Sequence, residues 1–265
     1  MVTTAAVLAL ILATVRDVPS DEPGDSRVLP AHAHNDYYHD RPLLDALEHR
    51  FRSVEADIFL VDGQLLVGHA RFELRPNRTL QSLYLEPLRD WIAENEQAVY
   101  PGGPPLILLI DIKTDGTATY RVLRDVLAQY QDILTRFEDG KVHPGAVTAV
   151  ISGNRAWDAI AVDEVRFAGI DGRMADLDRN VSPMLMPMVS DHWRTHFRWD
   201  GHGEMPAEER ARLRDLTARA HHQGMLIRFW ATPEIPAVWQ ELVDAGVDLI
   251  NTDLLSELRE FLTKQ

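Results

Sequence analysis

The sequence predicts an α/β protein that consists of one (β/α)₈ barrel, also called a TIM barrel. Three observations lead to this prediction. The chain has 265 residues, a length that suits a single barrel domain. Strand-like and helix-like segments alternate from Val28 onward, which indicates parallel strands joined by helices. Eight of these segments have the character of buried strands, and eight parallel strands close such a barrel.

The eight strand-like segments are short apolar runs. They lie near residues 28, 53, 106, 147, 166, 185, 226 and 248. The third, residues 105–113, is almost continuously apolar, as expected for a strand that is buried on both faces. A short extra strand at residues 64–69 follows an Asp-Gly turn, so we expect a β-hairpin inserted after the second strand.

Segments with helical spacing of apolar residues separate the strands. They cover residues 42–49, 80–97, 117–133, 206–222, 233–245 and 254–262, and another helix begins near Arg155. In a barrel of this kind the catalytic groups collect at the carboxyl ends of the strands. The polar residues that end the apolar runs are therefore candidates for one common site.

The chain divides into an N-terminal segment, residues 1–27, and a barrel domain, residues 28–265. Residues 3–15 form an apolar run of signal-peptide length, too short to span a bilayer, and a polar linker follows. We expect export to the periplasm or cell exterior, or N-terminal anchoring, with no transmembrane span in the mature domain. The run lacks a basic n-region, so a helix packed on a cytoplasmic barrel stays an alternative.

Composition excludes several classes of protein. The chain has 41 acidic and 27 basic residues, a net charge of −14, which disfavours binding along a nucleic-acid backbone. It has no cysteine, so disulfides and thiolate-bound metals are excluded. The apolar content of 45% is ordinary for a globular protein.

The predicted strand ends carry an unusual set of polar and aromatic side chains. They are His32, His34, Asn35, Glu55, Asp57, His69, Asp111, Lys113, Trp230, Asn251 and Asp253. Alternate residues of a strand share a face, so Glu55 and Asp57 can both point into the barrel mouth. Converging carboxylates repel each other, and one hard divalent cation, Mg²⁺ or Ca²⁺, would relieve the repulsion. The histidines are then free for proton transfer.

Five segments carry a resemblance to known enzymes. Glycerophosphodiester phosphodiesterases have a Glu-x-Asp…Asp-Gly…His segment that resembles SVEADIFLVDGQLLVGH, and final strands that resemble FWATP and GVDLINTD. Phosphoinositide-specific phospholipases C have a Ser-His-Asn-Thr-Tyr segment that is similar to AHNDY. Sphingomyelinase D-type enzymes have an Asp-x-Lys-Thr strand that is similar to LIDIKT. Together the segments resemble the altered-inheritance-of-mitochondria branch of this PI-PLC-like phosphodiesterase superfamily.

The resemblance implies a metal-dependent phosphodiester hydrolase that acts on a glycerophosphodiester or a phospholipid-type substrate with one Mg²⁺ or Ca²⁺ ion. The implied catalytic residues are His34, His69 and His32, and the implied metal ligands are Glu55, Asp57, Asp111 and Asn35. Lys113 and Trp230 would contact substrate. As the general base we favour His34, because Asn35 follows it as in the phospholipases, although the start of the glycerophosphodiesterase motif would favour His32.

Two other functions stay open. A barrel that binds phospholipid head groups or a partner without turnover would explain why HDRPLLDAL lacks the metal-binding glutamate of glycerophosphodiesterases. A His-x-His after the first strand also resembles amidohydrolases, but the fifth strand has no histidine and His192 lies in a polar loop. For Asp253 we expect an N-cap of the last helix. Trp230 could equally belong to the barrel core.

Overall fold

The computed structural model describes residues 27–265 and shows a closed barrel of eight parallel strands. These are β1 (Leu29–Ala33), β2 (Phe51–Val61), β3 (Leu106–Ile112), β4 (Val147–Gly153), β5 (Ala168–Gly172), β6 (Met188–His192), β7 (Leu226–Trp230) and β8 (Leu249–Thr252). Each strand pairs with the next in chain order, and β1 also pairs with β8, which closes the barrel. The predicted fold is confirmed.

The predicted hairpin is also present. Gln64–Val67 runs antiparallel to the end of β2. The turn residues Asp62 and Gly63 have φ angles of 47° and 78°, in the left-handed region that Asp-Gly turns of this kind require. The hairpin carries the chain away from the barrel and returns it to the mouth at His69.

Helices cover the outside of the barrel. They are α1 (Leu44–Glu48), α2 (Glu86–Glu94), α3 (Gly116–Ala128), α4 (Trp157–Val162), α5 (Trp193–His196), α6 (Ala207–His222), α7 (Pro236–Asp244) and α8 (Leu255–Thr263). A π-helical turn, Gln81–Leu85, leads into α2, and a 3₁₀ helix, Met174–Arg179, follows β5 where other strands are followed by α-helices.

A small antiparallel sheet outside the barrel was not predicted. Its strands are Arg136–Glu138, Lys141–His143 and Val165–Arg166. The sequence VRFAGI predicts one strand, but its first two residues pair in this sheet and β5 begins only at Ala168. The guanidinium of Arg166 donates to the carbonyls of Ala168 and Met184. These hydrogen bonds fix the chain where it passes from the small outer sheet into the barrel.

The interior of the barrel changes from apolar to polar towards the mouth. On β3, Ile107 and Leu109 belong to a small buried cluster with Val150, Met188 and Leu249, whereas the residues between them pack in the larger core. Asp111 continues the series of Ile107 and Leu109 at the carboxyl end of the strand. The strand ends therefore direct polar side chains into one opening.

The predicted signal or anchor segment, residues 3–15, lies outside the described residues, as does most of the polar linker. Within residues 27–265, no helix has both the length and the apolar character that a membrane crossing requires.

Candidate active site

A cavity of about 180 Å³ opens at the carboxyl ends of the strands, where the sequence predicts the site. It is lined by His34, Asn35, Glu55, Asp57, His69, Asp111, Lys113, Ser152, Arg173, Arg228 and Trp230. All the residues predicted to act in catalysis, metal binding or substrate contact, except His32, therefore line one cavity.

Three carboxylates form the centre of this cavity. Glu55 and Asp57 share the inner face of β2, and Asp57 stands beside Asp111 in the register of β2 with β3. One carboxylate oxygen of each residue lies within 4.8 Å of the others. Burial, followed by the charge of Glu55, raises the pKa of Asp57 to about 6, and burial also raises the pKa of Asp111. The protein thus leaves part of this negative charge uncompensated.

Two cationic side chains contact the carboxylates. Lys113 Nζ lies 3.0 Å from Asp57 Oδ2 and 3.0 Å from Asp111 Oδ1. Arg228 Nη1 lies 3.4 Å from Glu55 Oε2. Burial disfavours the charge of Glu55, but the attraction of Arg228 outweighs it and holds the pKa of Glu55 below its usual range. Glu55 is accordingly the carboxylate that stays ionised most readily.

The oxygen atoms of the site fit one hard divalent cation. Among residues 27–265, Asp57 Oδ1 is buried and has no hydrogen-bond partner. The hydroxyl oxygen of Tyr37 lies 2.7 Å from both Asp57 Oδ2 and Asn35 Oδ1, but its single proton can serve only one of them. Asp57 Oδ1 therefore lacks a donor, and Mg²⁺ or Ca²⁺ prefers such oxygen ligands. Glu55, Asp57 and Asp111 have oxygen atoms close enough together to hold it. The role of Asn35 as a fourth ligand stays a prediction.

His34 lies at the end of β1 and faces the carboxylates. Its Nδ1 is 2.8 Å from Asp253 Oδ1, and its Nε2 is 3.9 Å from Glu55 Oε2. Burial disfavours the protonated ring, but the hydrogen bond with Asp253 and the charge of Glu55 outweigh it and raise the pKa of His34. The expectation that Asp253 caps the last helix is wrong. Leu254 occupies the N-cap of α8, because the carboxylate of Asp253 is directed to His34 instead.

His69 follows the hairpin and lies beside a different carboxylate. Its Nδ1 is 3.0 Å from Asp57 Oδ2 and 3.3 Å from the hydroxyl of Tyr37. The backbone N–H of His69 donates to Glu73 Oε2 at 2.8 Å, which fixes the chain just after the hairpin. The imidazole is 54% exposed, so solvent and substrate can reach it.

His32 is buried in the barrel wall outside the cavity. Its Nε2 lies 2.5 Å from Arg228 Nη1, and its Nδ1 lies 2.7 Å from Ser53 Oγ. An arginine can only donate, so Nε2 accepts and Nδ1 carries the proton. The 3.3 Å contact between Nε2 and Glu55 is then no hydrogen bond. Burial, with the charge of Arg228, lowers the pKa of His32 to about 3. This neutral ring supports Arg228.

The sequence analysis missed several cavity residues from the later strands. Arg228 and Ser152 were not singled out, nor was Arg173. The carboxylate of Asp171 accepts from Ser152 Oγ at 2.8 Å, from Ser190 Oγ at 2.5 Å and from Arg173 Nη1 at 2.9 Å. Asp171 thereby fixes the side chain of Arg173 on the wall of the cavity. The alternation of strand residues, applied to β4 to β7 as it was to β1 to β3, would have found this group.

Trp230 forms one wall of the cavity, and its ring meets that of His192 edge-on at 4.4 Å. His192 Nδ1 accepts from the backbone N–H of Arg194. Within the described part of the chain, the potential metal-binding group contains carboxylates and no histidine. This arrangement disfavours the amidohydrolase alternative, which requires histidine ligands from several strands.

Two family comparisons match different parts of the chain. Residues 22–168 match the AIM6-like phosphodiesterase domain, and residues 227–255 match the glycerophosphoryl diester phosphodiesterase family. The protein is therefore a phosphodiesterase-type barrel of the glycerophosphodiesterase and PI-PLC-like superfamily. Within that superfamily, the chain belongs to the AIM6-like phosphodiesterase domain family. The resemblance drawn from the sequence motifs is confirmed.

The relatives share the name altered inheritance of mitochondria protein 6 or its homolog. The Arthroderma benhamiae protein is 29% identical over 259 residues, which are 85% of this chain and 81% of that protein. The Lachancea thermotolerans protein is 31% identical over 277 residues, 86% of this chain and 64% of that protein. The Eremothecium gossypii protein is 30% identical over 266 residues, 87% of this chain and 68% of that protein.

Solved structures share the fold. The glycerophosphodiester phosphodiesterase of Parabacteroides distasonis has a TM-score of 0.52 and 16% identity, over 88% of this chain and 96% of that one. The enzyme of the same name from Agrobacterium tumefaciens has a TM-score of 0.50 and 15% identity, over 88% of this chain and 97% of that one. At this level of identity, the likeness concerns the fold alone.

Proposed function

We propose that this protein is a metal-dependent phosphodiesterase that cleaves a glycerophosphodiester or a phospholipid-type substrate. The proposal depends chiefly on two histidines that line one cavity and lie beside the same cluster of three carboxylates. His34 lies beside Glu55, and His69 lies beside Asp57. Cleavage of a phosphodiester needs a base for the attacking hydroxyl and an acid for the leaving alkoxide, and such a pair supplies both. Membership of a phosphodiesterase family supports this function.

His34 is the general base in this proposal. The Asp253 carboxylate can only accept, so Nδ1 of His34 donates to it at 2.8 Å and Nε2 carries the lone pair and faces Glu55. The 3.0 Å contact between Asn35 Nδ2 and this Nδ1 is then no hydrogen bond. Nε2 takes the proton of the attacking hydroxyl as the new oxygen–phosphorus bond forms. When water attacks, the product is a phosphomonoester, and when a substrate hydroxyl attacks, the product is a cyclic phosphate.

His69 is the general acid. Asp57 holds its Nδ1 at 3.0 Å, and its exposed ring lies where a departing alcohol can leave. The proton passes from the ring to the alkoxide as the phosphorus–oxygen bond to the leaving group breaks. Each of the two proton transfers contributes typically ~10²–10⁴-fold to the rate.

Cations complete the site. A bound Mg²⁺ or Ca²⁺ would polarise the phosphoryl group and stabilise its developing charge. Lys113 bridges Asp57 and Asp111 and adds a fixed positive charge beside the phosphate. Arg173 adds a second positive charge on another wall of the cavity. Trp230 offers an apolar surface to the alcohol part of the substrate.

The size of the cavity bears on the substrate. A volume of about 180 Å³ corresponds to roughly six water molecules at ~30 Å³ each. This space accepts a phosphodiester with a small alcohol, but it cannot enclose acyl chains. The phosphate and the atoms next to it would enter, whereas the acyl chains of a phospholipid-type substrate would stay outside.

A substrate screen tests the proposal. The purified full-length protein is incubated with glycerophosphodiesters, lysophospholipids and inositol phospholipids, with and without Mg²⁺ and Ca²⁺, and phosphorus NMR resolves the products. We expect turnover of at least one diester, abolished in His69→Ala and retained in His221→Ala, whose histidine pairs with Asp248 away from the mouth. Binding of these compounds without any turnover would overturn the proposal and favour the head-group-binding barrel.

Export or N-terminal anchoring is a separate proposal, supported by the apolar character of residues 3–15. Expression of the full chain with a C-terminal tag, followed by cell fractionation and N-terminal sequencing, tests it. A protein that stays in the cytoplasm with its first residues intact would contradict it.

A further inference from the structure

The segment that follows His69 carries the most exposed large apolar side chain among residues 27–265. This segment, residues 71–78, is called the rim loop below. Phe72 is 88% exposed at the centre of the 3₁₀ turn Arg71–Glu73. Tyr38, which is 58% exposed, stands next to it, because its hydroxyl donates to the carboxylate of Glu73 at 2.9 Å. Two aromatic rings thus project into solvent at the rim of the mouth.

The rim loop is basic although the protein as a whole is acidic. It contains Arg71, Arg75 and Arg78 and one acidic residue, Glu73, in a chain with a net charge of −14. The carboxylate of Glu73 accepts from Tyr38 and from two backbone N–H groups, so it shapes the loop. Arg71 and Arg75 are exposed, and within residues 27–265 neither forms a salt bridge.

A groove of about 420 Å³ lies between the rim loop and the neighbouring 3₁₀ helix Asp36–Tyr38. Phe72 and Tyr38 contribute apolar walls, and Arg75 and Arg78 contribute positive charge. The ring of Tyr38 is 6.5 Å from the ring of His69, so this groove adjoins the catalytic cavity. An anionic head group in the groove would lie next to the site of cleavage.

We propose that the rim loop and Tyr38 dock this protein on an anionic phospholipid membrane. Phe72 and Tyr38 enter the interfacial layer, where aromatic side chains are favoured. Arg71 and Arg75 contact lipid phosphates, and the negative surface potential attracts them. The proposal extends the proposed function, since a cavity that admits only a head group requires the acyl chains to remain in a bilayer. Docking itself needs no turnover.

Charge favours a membrane over a second copy of the chain as the occupant. Two copies would each bring a net charge of −14, and their mutual repulsion opposes association. An anionic bilayer also repels the acidic remainder of the chain, but it attracts this basic, aromatic edge. This combination orients the molecule with its mouth towards the lipid.

Vesicle co-sedimentation tests docking. The full-length protein is mixed with vesicles of phosphatidylcholine and phosphatidylglycerol, or of phosphatidylcholine alone. We expect binding to the anionic vesicles, about 10-fold or more weaker in Phe72→Ala and roughly 25-fold weaker in the double variant Arg71→Ala/Arg75→Ala, at about 5-fold per arginine. Val162→Ala is the matched control, because Val162 is 76% exposed at the end of α4, away from the mouth. It should bind as the parent protein does.

Several outcomes would overturn the proposal. One is equal binding by Phe72→Ala and the parent protein. Another is loss of binding in Lys113→Ala with no loss in Phe72→Ala, which would assign binding to the cavity. A Phe72-dependent dimer in sedimentation without vesicle binding would assign the rim loop to an interface between copies. Rim-dependent vesicle binding by a protein that cleaves no diester would support docking while the proposed function fails.

Discussion

Arg228 provides the sharpest test of how the site balances its charge. It is buried, and its Nη1 contacts His32 Nε2 at 2.5 Å, Asn251 Oδ1 at 3.1 Å and Glu55 Oε2 at 3.4 Å. The substitution Arg228→Met keeps much of the side-chain volume but removes the charge. Glu55 is then left as a buried carboxylate without its cationic partner, and two further polar groups lose a donor.

The magnitude follows from burial. Removing one partner of a buried ion pair costs about 3–5 kcal/mol. Unfolding of roughly 240 residues carries an entropy of about 0.5 kcal/mol/K, so the melting temperature should fall by about 6–10 °C. The same change makes the cluster of Glu55, Asp57 and Asp111 more negative and raises its affinity for a divalent cation. A cation that saturates both proteins but binds the variant about 10-fold more tightly narrows the difference in stability by about 1.4 kcal/mol, or about 3 °C.

The assay is thermal unfolding after chelation and then with added Mg²⁺ or Ca²⁺. Arg166→Met is the matched control. Arg166 is also buried, but its guanidinium donates to two backbone carbonyls and contacts no carboxylate. We expect the gap between Arg228→Met and the parent protein to narrow with the cation, and the gap for Arg166→Met to stay. Equal behaviour of the two variants would refute this account of the charge balance.

Three further predictions concern groups around the carboxylates. His34→Ala should lower turnover by at least about 10²-fold. His32→Ala should lower turnover less and keep both limbs of the pH–rate profile, but it should lose more thermal stability. Steady-state kinetics and melting curves of the two variants test this ranking. The hydrogen bond that His34 donates to Asp253 acts against burial to raise the pKa of His34. Asp253→Asn should therefore lower this pKa, keep the base neutral to lower pH and move the acidic limb of the profile to lower pH; an unmoved limb would remove His34 as the base. At Gly153, where φ is 67°, a Cβ atom would lie 2.3 Å from Asp111 Oδ1. Gly153→Ala should therefore displace this carboxylate and weaken cation binding, as measured by calorimetric titration. Unchanged affinity would contradict the role of Asp111 as a ligand.

The barrel could be predicted because eight short apolar runs alternate with segments of helical spacing. The third strand, Leu106–Ile112, is buried along almost its whole length and leaves no other interpretation. The hairpin could be predicted because Asp62-Gly63 is a strong turn signal.

The small outer sheet could not be predicted in the same way. Its strands have two or three residues, and all three residues of Lys141–His143 are exposed, so neither length nor periodicity distinguishes these strands from loops. Val165–Arg166 merged with the next strand in the sequence because only tertiary pairing separates the two.

The first half of the site could be predicted because it consists of charged or titratable pairs at alternate positions. Glu55 and Asp57 interrupt a buried run, and such an interruption is costly without compensation. Arg228, by contrast, is a single charged residue in LIRFW. Its place in the site follows only from its contacts across the barrel with His32 and Glu55. The pairing of Asp253 with His34 spans 219 positions of sequence and is equally invisible to local patterns.

One titration tests the metal-dependent phosphodiesterase account most directly. Turnover of a diester from the substrate screen is measured against Mg²⁺ or Ca²⁺ concentration after complete chelation, for the parent protein, Glu55→Gln and the exposed control Glu48→Gln. The account predicts no turnover in the chelated parent protein, recovery on readdition, and about 10-fold or more cation required by Glu55→Gln but not by Glu48→Gln. Full turnover after chelation, or one shared titration curve for all three proteins, would contradict it.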